Sequence, residues 1–253
     1  MLKILLSPAK SISKDQITFG DPTQPIFEEK AMVLASLLKG FKPEELSQLM
    51  SISPALADLN WSRFQDWKPL HTNAMPIQPA LAFTGEVYKG LDALTFDQSD
   101  WDKAQASIRI LSGLYGVLKP LDGIQAYRLE MGTRLKVNTR INNLYEFWKA
   151  DLTKGFVNEL SSNDVVVNLA SKEYSKVLNF SMIPNPVVTP LFKDYKNGKL
   201  KTIMMYAKNA RGCMARHIIK EGITNSEELK EADIKGYRFT EDLSSASEWV
   251  FTR

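Results

Sequence analysis

Three consecutive valines, Val165-Val166-Val167, run without a polar residue between them. A strand of this kind is buried on both faces, which calls for helices covering a sheet from both sides. Residues 2–6, LKILL, read as a second fully buried strand, ended by Ser7-Pro8. Helical patterns lie between the two. Residues 31–38 are apolar and helix-prone. Pro43-Glu44-Glu45 opens a second helix with proline and acids in its first turn, and Ser53-Pro54 opens a third under a serine cap. The expected class is therefore α/β, or α+β, with a mixed sheet flanked by helices.

The remaining elements follow from shorter signals. Residues 11–30 are polar and turn-rich, an irregular connection. Residues 80–83 read as a short strand. Ser99, with Asp102 three residues on, predicts a helix running toward Ile110. Trp148, Leu152, Phe156 and Leu160 recur at a spacing of four and predict a helix over 145–160. Another follows Ser171, over 171–178. Residues 187–192 and 200–206 read as strands joined at Asn197-Gly198. A helix over 207–220, a turn at 222–225, a second helix over 226–232 and strand-like pieces at 237–239 and 249–251 complete the chain. No repeat or low-complexity linker divides it, so one domain over 1–253 is expected, in two closely packed lobes at most.

With 44% hydrophobic and 24% charged residues over 253 positions, the chain can bury a large core. The single cysteine, Cys213, excludes an internal disulfide and fits a reducing compartment. The N-terminus reads as a strand, not a signal peptide, and no apolar run approaches the ~18 residues of a membrane helix. A cytoplasmic protein without membrane partners is expected. Net charge is only +3, but it is unevenly spread. Residues 193–220 carry Lys193, Lys196, Lys199, Lys201, Lys208, Arg211, Arg216 and Lys220 against Asp194 alone. Residues 128–140 carry Arg128, Arg134, Lys136 and Arg140 against Glu130.

Chemistry-bearing residues collect where strands end. SPAK, residues 7–10, follows the first strand, and ligands often sit off the carboxyl ends of strands in open α/β sheets. Lys10 suits a phosphate there; a solvated lysine is the plain alternative. In VVVNLASKE, Ser171 caps a helix whose amino end suits an anion, with Glu173 beside it. The stretch LSGLYGVLKPLDGIQAYRLEMG, residues 111–132, concentrates Ser112, Tyr115, Tyr127, Arg128 and Glu130. Either these form a pocket, with tyrosines framing a base and glutamate taking a proton, or the tyrosines are core and Arg128 pairs with Glu130. His71 and His217 stand far apart, and no Cys/His/acid spacing marks a metal site, so neither metal nor cofactor is expected. Cys213 reads as structural, although its basic helix leaves room for a lowered thiol pKa. The 207–220 helix has an apolar stripe of Ala207, Ala210, Met214 and Ile218 and a basic far side.

Five motifs in order, SPAK at 7–10, LSGLYGVLKPLD at 111–122, YRLEMG at 127–132, NLAS-EY at 168–174 and YAK-ARG at 206–212, resemble the YaaA peroxide stress family, and the likeness runs from Leu2 to Phe251. The resemblance implies a bacterial cytosolic protein that helps cells survive hydrogen peroxide, lowers free iron and limits DNA damage. It also implies duplex DNA binding through a positively charged cleft and a helix-hairpin-helix-like element. That element is placed at 208–232, although the turn, EGITNSEEL, lacks the motif's glycine pattern. The expected DNA-contacting residues are Lys10, Arg128, Lys208, Arg211, Arg216 and Lys220. The competing expectation is an enzyme acting on a nucleotide or nucleobase, with Lys10 on phosphate, Ser112, Tyr115, Tyr127 and Arg128 lining the pocket, and Glu130 or Glu173 moving a proton. An interaction scaffold would instead show an exposed apolar patch.

Overall fold

The valine run lies beside LKILL in the middle of the sheet. The computed structural model describes residues 1–13, 15, 17–70 and 75–253. β1 (Leu2–Leu6) leads through α1 (Glu28–Lys39), α2 (Pro43–Met50), α3 (Pro54–Asp66), α4 (Pro79–Ala82), α5 (Glu86–Leu91) and α6 (Gln98–Ser107) to β2 (Ile108–Ser112). β3 (Gly116–Leu118), α7 (Leu144–Asn158), β4 (Val165–Asn168) and α8 (Lys172–Ser175) follow. The last part holds β5 (Val187–Lys196), β6 (Lys199–Lys201), α9 (Met204–Glu221), β7 (Arg238–Phe239) and β8 (Glu248–Thr252).

The strands form a mixed eight-stranded sheet in the order β3-β2-β1-β4-β5-β8-β7, with β6 paired to β5. β2, β1, β4, β5 and β8 are parallel neighbours; β3, β6 and β7 add antiparallel pairs at hairpins and edges. Every residue of β1 is buried, and so are Val166, Val167 and Asn168 of β4, as strands covered on both faces require. The chain leaves β1 for β2 on one side and returns to β4 on the other. The carboxyl ends of β1 and β4 therefore flank the topological switch point, where doubly wound sheets open a crevice. Among the described residues, no helix is long and apolar enough to cross a membrane.

Several expected elements differ. Residues 79–82 form a helical turn instead of a strand: Pro79 presets the first helical φ, and Ala82 N–H donates to Gln78 O at 2.8 Å. The helix expected from Ser99 starts earlier, because Asp97 and Asp100 form the reciprocal capping box, and it stops at Ser107, where the β2 register with β1 takes over. β6 ends at Lys201, and Met204–Tyr206 open α9. After Ser171 there is a single helical turn. The second helix expected at 226–232 is a 3-10 turn over Ser226–Lys230. Buried Leu229 and Ala232 pin it, and the Ile234–Tyr237 bridge then turns the chain into β7, leaving no length for an α-helix. The hairpin-like element thus has one α-helical arm.

Asp122, in the 111–132 stretch, is fully buried and ties this loop to the N-terminal connection. Its carboxyl accepts hydrogen bonds from Thr23 Oγ1 at 2.6 Å and Lys119 N–H at 2.7 Å. Burial outweighs both and pushes its pKa up to about 6. The folded state thus holds this proton more tightly than the unfolded chain, whose aspartate titrates near ~3.9. The contribution is complete below that value and is lost as pH rises through about 6. Asp100 works the other way: burial raises its carboxyl, but the hydrogen bonds from Lys220 and the Asp97 backbone, with the charges of Lys220 and Lys103, together outweigh it and hold it below the usual range. The readout is therefore a difference. Urea unfolding of wild type and Asp122→Asn from pH 4 to 7 should show wild type losing roughly 2–3 kcal/mol relative to the variant. Parallel pH profiles would show that Asp122 is not the group involved.

Candidate functional site

The strand ends at the switch point are laced together by hydroxyls. Ser171, after β4, donates its N–H to Ser7 Oγ at 2.9 Å, and Ser7 Oγ donates to Ser171 Oγ at 3.3 Å. Asn168 Oδ1 accepts the Ala170 N–H at 3.2 Å and turns the chain out of β4. Tyr88, on α5, donates its hydroxyl to Ser7 O at 3.1 Å. Tyr127 and Tyr174 lie close enough to Tyr88 to raise its hydroxyl pKa beyond what burial already does, and Tyr127 does the same to Tyr174.

Beneath them, the sequence-predicted pocket residues Ser112, Tyr115 and Tyr127 are buried support. Ser112 Oγ and Tyr127 OH are 2.6 Å apart, and Ser112 Oγ accepts the Tyr115 N–H at 2.9 Å. The Tyr115 hydroxyl accepts from Trp67 Nε1 and Gln125 N–H, both at 3.0 Å, while burial pushes its pKa up to about 12. These side chains hold the shape of the 111–132 stretch; they do not line its opening.

The charged residues do meet. Lys10 Nζ lies 2.7 Å from Glu130 Oε2, and Arg128 Nη2 donates to Glu130 Oε1 at 2.9 Å. Burial raises the Glu130 carboxyl, but these two cations outweigh it and hold it below the usual range. Arg128 Nε is buried without a hydrogen-bond partner among the described residues. Glu173 Oε1 accepts the Gly132 N–H at 3.1 Å, and the Met131 backbone hydrogen-bonds the Tyr174 hydroxyl. Glu130 and Glu173 line one cavity of about 520 Å³, together with Leu49 and Met50 from α2, Thr133 and Arg134.

The cations of α9 are placed differently. Arg216 Nη1 donates to Leu91 O at 3.2 Å and Asp92 O at 2.9 Å, closing the end of α5. Lys220 Nζ donates to Asp100 Oδ2 at 2.6 Å on α6. Arg211 lies on the inward face of α9, flanked at helical spacing by buried Ala207, Met214, Ala215 and Ile218. Its Nε is buried without a partner among the described residues, and burial lowers its pKa. Lys208 is exposed. Ion pairs therefore join Lys10 and Arg128 to Glu130, and Glu173 holds the neighbouring Gly132 backbone, while Arg216 and Lys220 pack against other helices. His71 lies outside the described residues, among which no three His, Cys, Asp or Glu side chains gather as a metal site. Burial raises the Cys213 thiol, against weaker pulls from Lys235 and Arg216, so the lowered thiol pKa is not found.

Residues 2–243 match the family model described as peroxide stress protein YaaA. This chain belongs to the YaaA peroxide stress family. Its relatives include a protein of Flavobacterium johnsoniae, 48% identical over the whole of both chains. Another, from Ralstonia pickettii, is 48% identical over 99% of this chain and 98% of its own. A third, from Janthinobacterium, is 44% identical over the same shares. All three are named UPF0246 proteins.

Two features of this YaaA-family chain escaped the sequence reading. Tyr88 and Tyr174 stand over the strand ends, yet neither sits in a stretch whose composition separates a site tyrosine from a core one. The other is the fate of Asp194, the sole acid among eight cations in 193–220. It is turned inward, 6% exposed, where Tyr237 OH donates to it at 2.7 Å and Arg253 Nε at 2.9 Å. Lys196, Lys199 and Lys201 of the β5–β6 hairpin and Lys208 of α9 stay exposed, beside Tyr195 and Tyr206.

Proposed function

We propose that this YaaA-family protein serves the peroxide stress response in the cytoplasm by holding the phosphate backbone of duplex DNA, and that it limits iron-linked damage at the DNA itself. The observation that carries this reading is the uncompensated charge of the β5–β6 hairpin and the start of α9. Asp194 is occupied by Arg253 and Tyr237. Lys196, Lys199, Lys201 and Lys208 are exposed and enter no ion pair among the described residues. Solvated lysines on an exposed two-stranded ribbon are suited to phosphates, and the adjacent tyrosines supply stacking surface. The DNA-contacting set is thereby shifted toward the hairpin and Lys208. Arg216 and Lys220 already serve α5 and α6, and Lys10 and Arg128 already serve Glu130.

Fluorescence anisotropy with a short duplex tests this. Wild type should bind at micromolar protein in low salt, with affinity falling as a power of salt concentration. In the triple variant Lys196→Gln, Lys199→Gln, Lys201→Gln, binding should weaken by about tenfold or more, and the log–log salt slope should shrink by about 0.9 for each phosphate no longer neutralised. Absence of duplex binding by wild type, or unchanged binding by the triple variant, overturns the reading.

A further inference from the structure

The crevice at the carboxyl ends of β1 and β4 holds groups that backbone binding at the hairpin does not use. Its position is the first observation: the chain order reverses there, and the loops leaving the two strand ends, joined through Ser7 and Ser171, carry Lys10 and Glu173. A second is a cavity of about 520 Å³ bordered by Glu130, Gly132 and Glu173, within the ~300–1,000 Å³ of small-molecule sites. The third is unspent hydrogen-bonding capacity. Arg128 is only 16% exposed, gives Nη2 to Glu130 and leaves Nε buried without a partner among the described residues. Buried polar groups are nearly always satisfied, so such an orphan marks a place for an acceptor. Lys10, 61% exposed, pairs with Glu130 and keeps further ammonium donors free.

The chemistry of the walls narrows the ligand. Lys10 and Arg128 converge on Glu130, which lines the cavity, and exceed its charge by one, and Arg134 lies in the cavity wall itself. That excess asks for an anion. Glu130 and Glu173 present acceptors, which ask for hydroxyl or amino donors. Leu49 and Met50 form an apolar side on which a flat ring can rest. Inorganic phosphate satisfies only the first demand, and a free nucleoside only the other two.

We propose that this crevice binds a nucleoside monophosphate, with Lys10, Arg128 and Arg134 taking the phosphate, Glu130 and Glu173 accepting from ribose hydroxyls or an exocyclic amine, and the base lying against Leu49 and Met50. The site is separate from the hairpin lysines, and it stands whether or not duplex DNA binds.

Isothermal titration calorimetry on the full chain decides it, using AMP, GMP, CMP and UMP as probes, with the matching nucleosides, ribose 5-phosphate and inorganic phosphate as comparison arms. At least one nucleotide should bind at submillimolar concentration, with its nucleoside, ribose 5-phosphate and phosphate each about tenfold or more weaker. Lys10→Ala, at an exposed position, should keep the melting temperature and weaken the nucleotide about tenfold while leaving the nucleoside unchanged. Glu173→Gln should weaken nucleotide and nucleoside alike. The hairpin triple variant should bind nucleotide as wild type does, which keeps this result distinguishable from the duplex experiment. The proposal is overturned if no nucleotide binds at millimolar concentration, if phosphate or ribose 5-phosphate binds as tightly as every nucleotide, or if Lys10→Ala changes nothing.

Discussion

Gly212→Ala is expected to destabilise the protein by roughly 3 kcal/mol or more, and to lower its melting temperature by roughly 6–12 °C. On helix propensity alone the substitution would stabilise α9 by about 1 kcal/mol. The packing reverses the sign. A methyl at Gly212 would stand 1.8 Å from Val87 O and 2.8 Å from Leu91 N, both backbone atoms of α5. Across the same crossing, a methyl at Gly90 would meet Asn209 O at 2.2 Å, so the two helices touch backbone to backbone on paired glycines. No rotamer change relieves such a clash; α5 or α9 must move away. α5 carries Tyr88, which reaches Ser7 O over the switch point, and its end is closed by Arg216. Moving it opens the apolar seam between the helices and draws the tyrosine off the strand end. Guanidinium unfolding followed by circular dichroism measures the loss, which should shift the midpoint while preserving the slope. If Gly212→Ala unfolds at the wild-type midpoint, the close crossing of α5 and α9 is not as described.

That crossing shows where the sequence was readable and where it was not. β1 and β4 were legible because a strand buried on both faces writes itself as an unbroken apolar run. α2 and α3 were legible because proline at a first helical position has few other uses. Residues 79–82 were not, since a four-residue apolar run fits a strand or a helical turn equally. The cap of α6 was misplaced because Ser99/Asp102 and Asp97/Asp100 both satisfy the same three-residue spacing, and only the register of β2 decides between them. The site divides in the same way. Lys10, Arg128, Glu130 and Glu173 were identifiable as charged residues just past strand ends, and they do gather. The inward turn of Tyr115 and Tyr127 was not, because a loop has no period to reveal its buried side, and Ser112 closes a strand buried at every position, which shows no alternation to read. Lys220 looked like a free cation because its acid, Asp100, lies 120 residues away on another helix. A local charge count sees no such partner, nor does it see Asp194 withdrawn beneath its own lysines.

Gly113→Ala carries the other large effect, and it connects the 111–132 stretch to the charged cluster. A methyl there would lie 2.2 Å from Leu129 O, 2.9 Å from Leu129 C and 3.2 Å from Glu130 C. Neither side can yield cheaply. The Gly113 carbonyl accepts Trp148 Nε1 at 2.9 Å, and Trp148 is fully buried between the rings of Phe27 and Phe147. On the other side, Leu129 is 2% exposed and Met131 0%, so both are anchored in the core on either side of Glu130. The strain therefore falls on residues 128–132, displacing Glu130 from Lys10 and Gly132 from Glu173. The expected cost is roughly 2–3 kcal/mol of stability, with faster amide exchange at Gly132 and Thr133, whose N–H groups donate to Glu173 Oε1 and Glu130 O. Leu34→Ala, deep in α1 and expected to lose roughly 2–5 kcal/mol by cavity formation, separates this local effect from general weakening. It should unfold at least as easily and yet leave exchange at Gly132 and Thr133 near the wild-type rate. Equal acceleration in both variants would mean that Gly113 supports the fold at large. Acceleration in Gly113→Ala alone would mean that this glycine exists to let the Arg128–Gly132 segment lie against the end of β2, where its charges can reach the switch point.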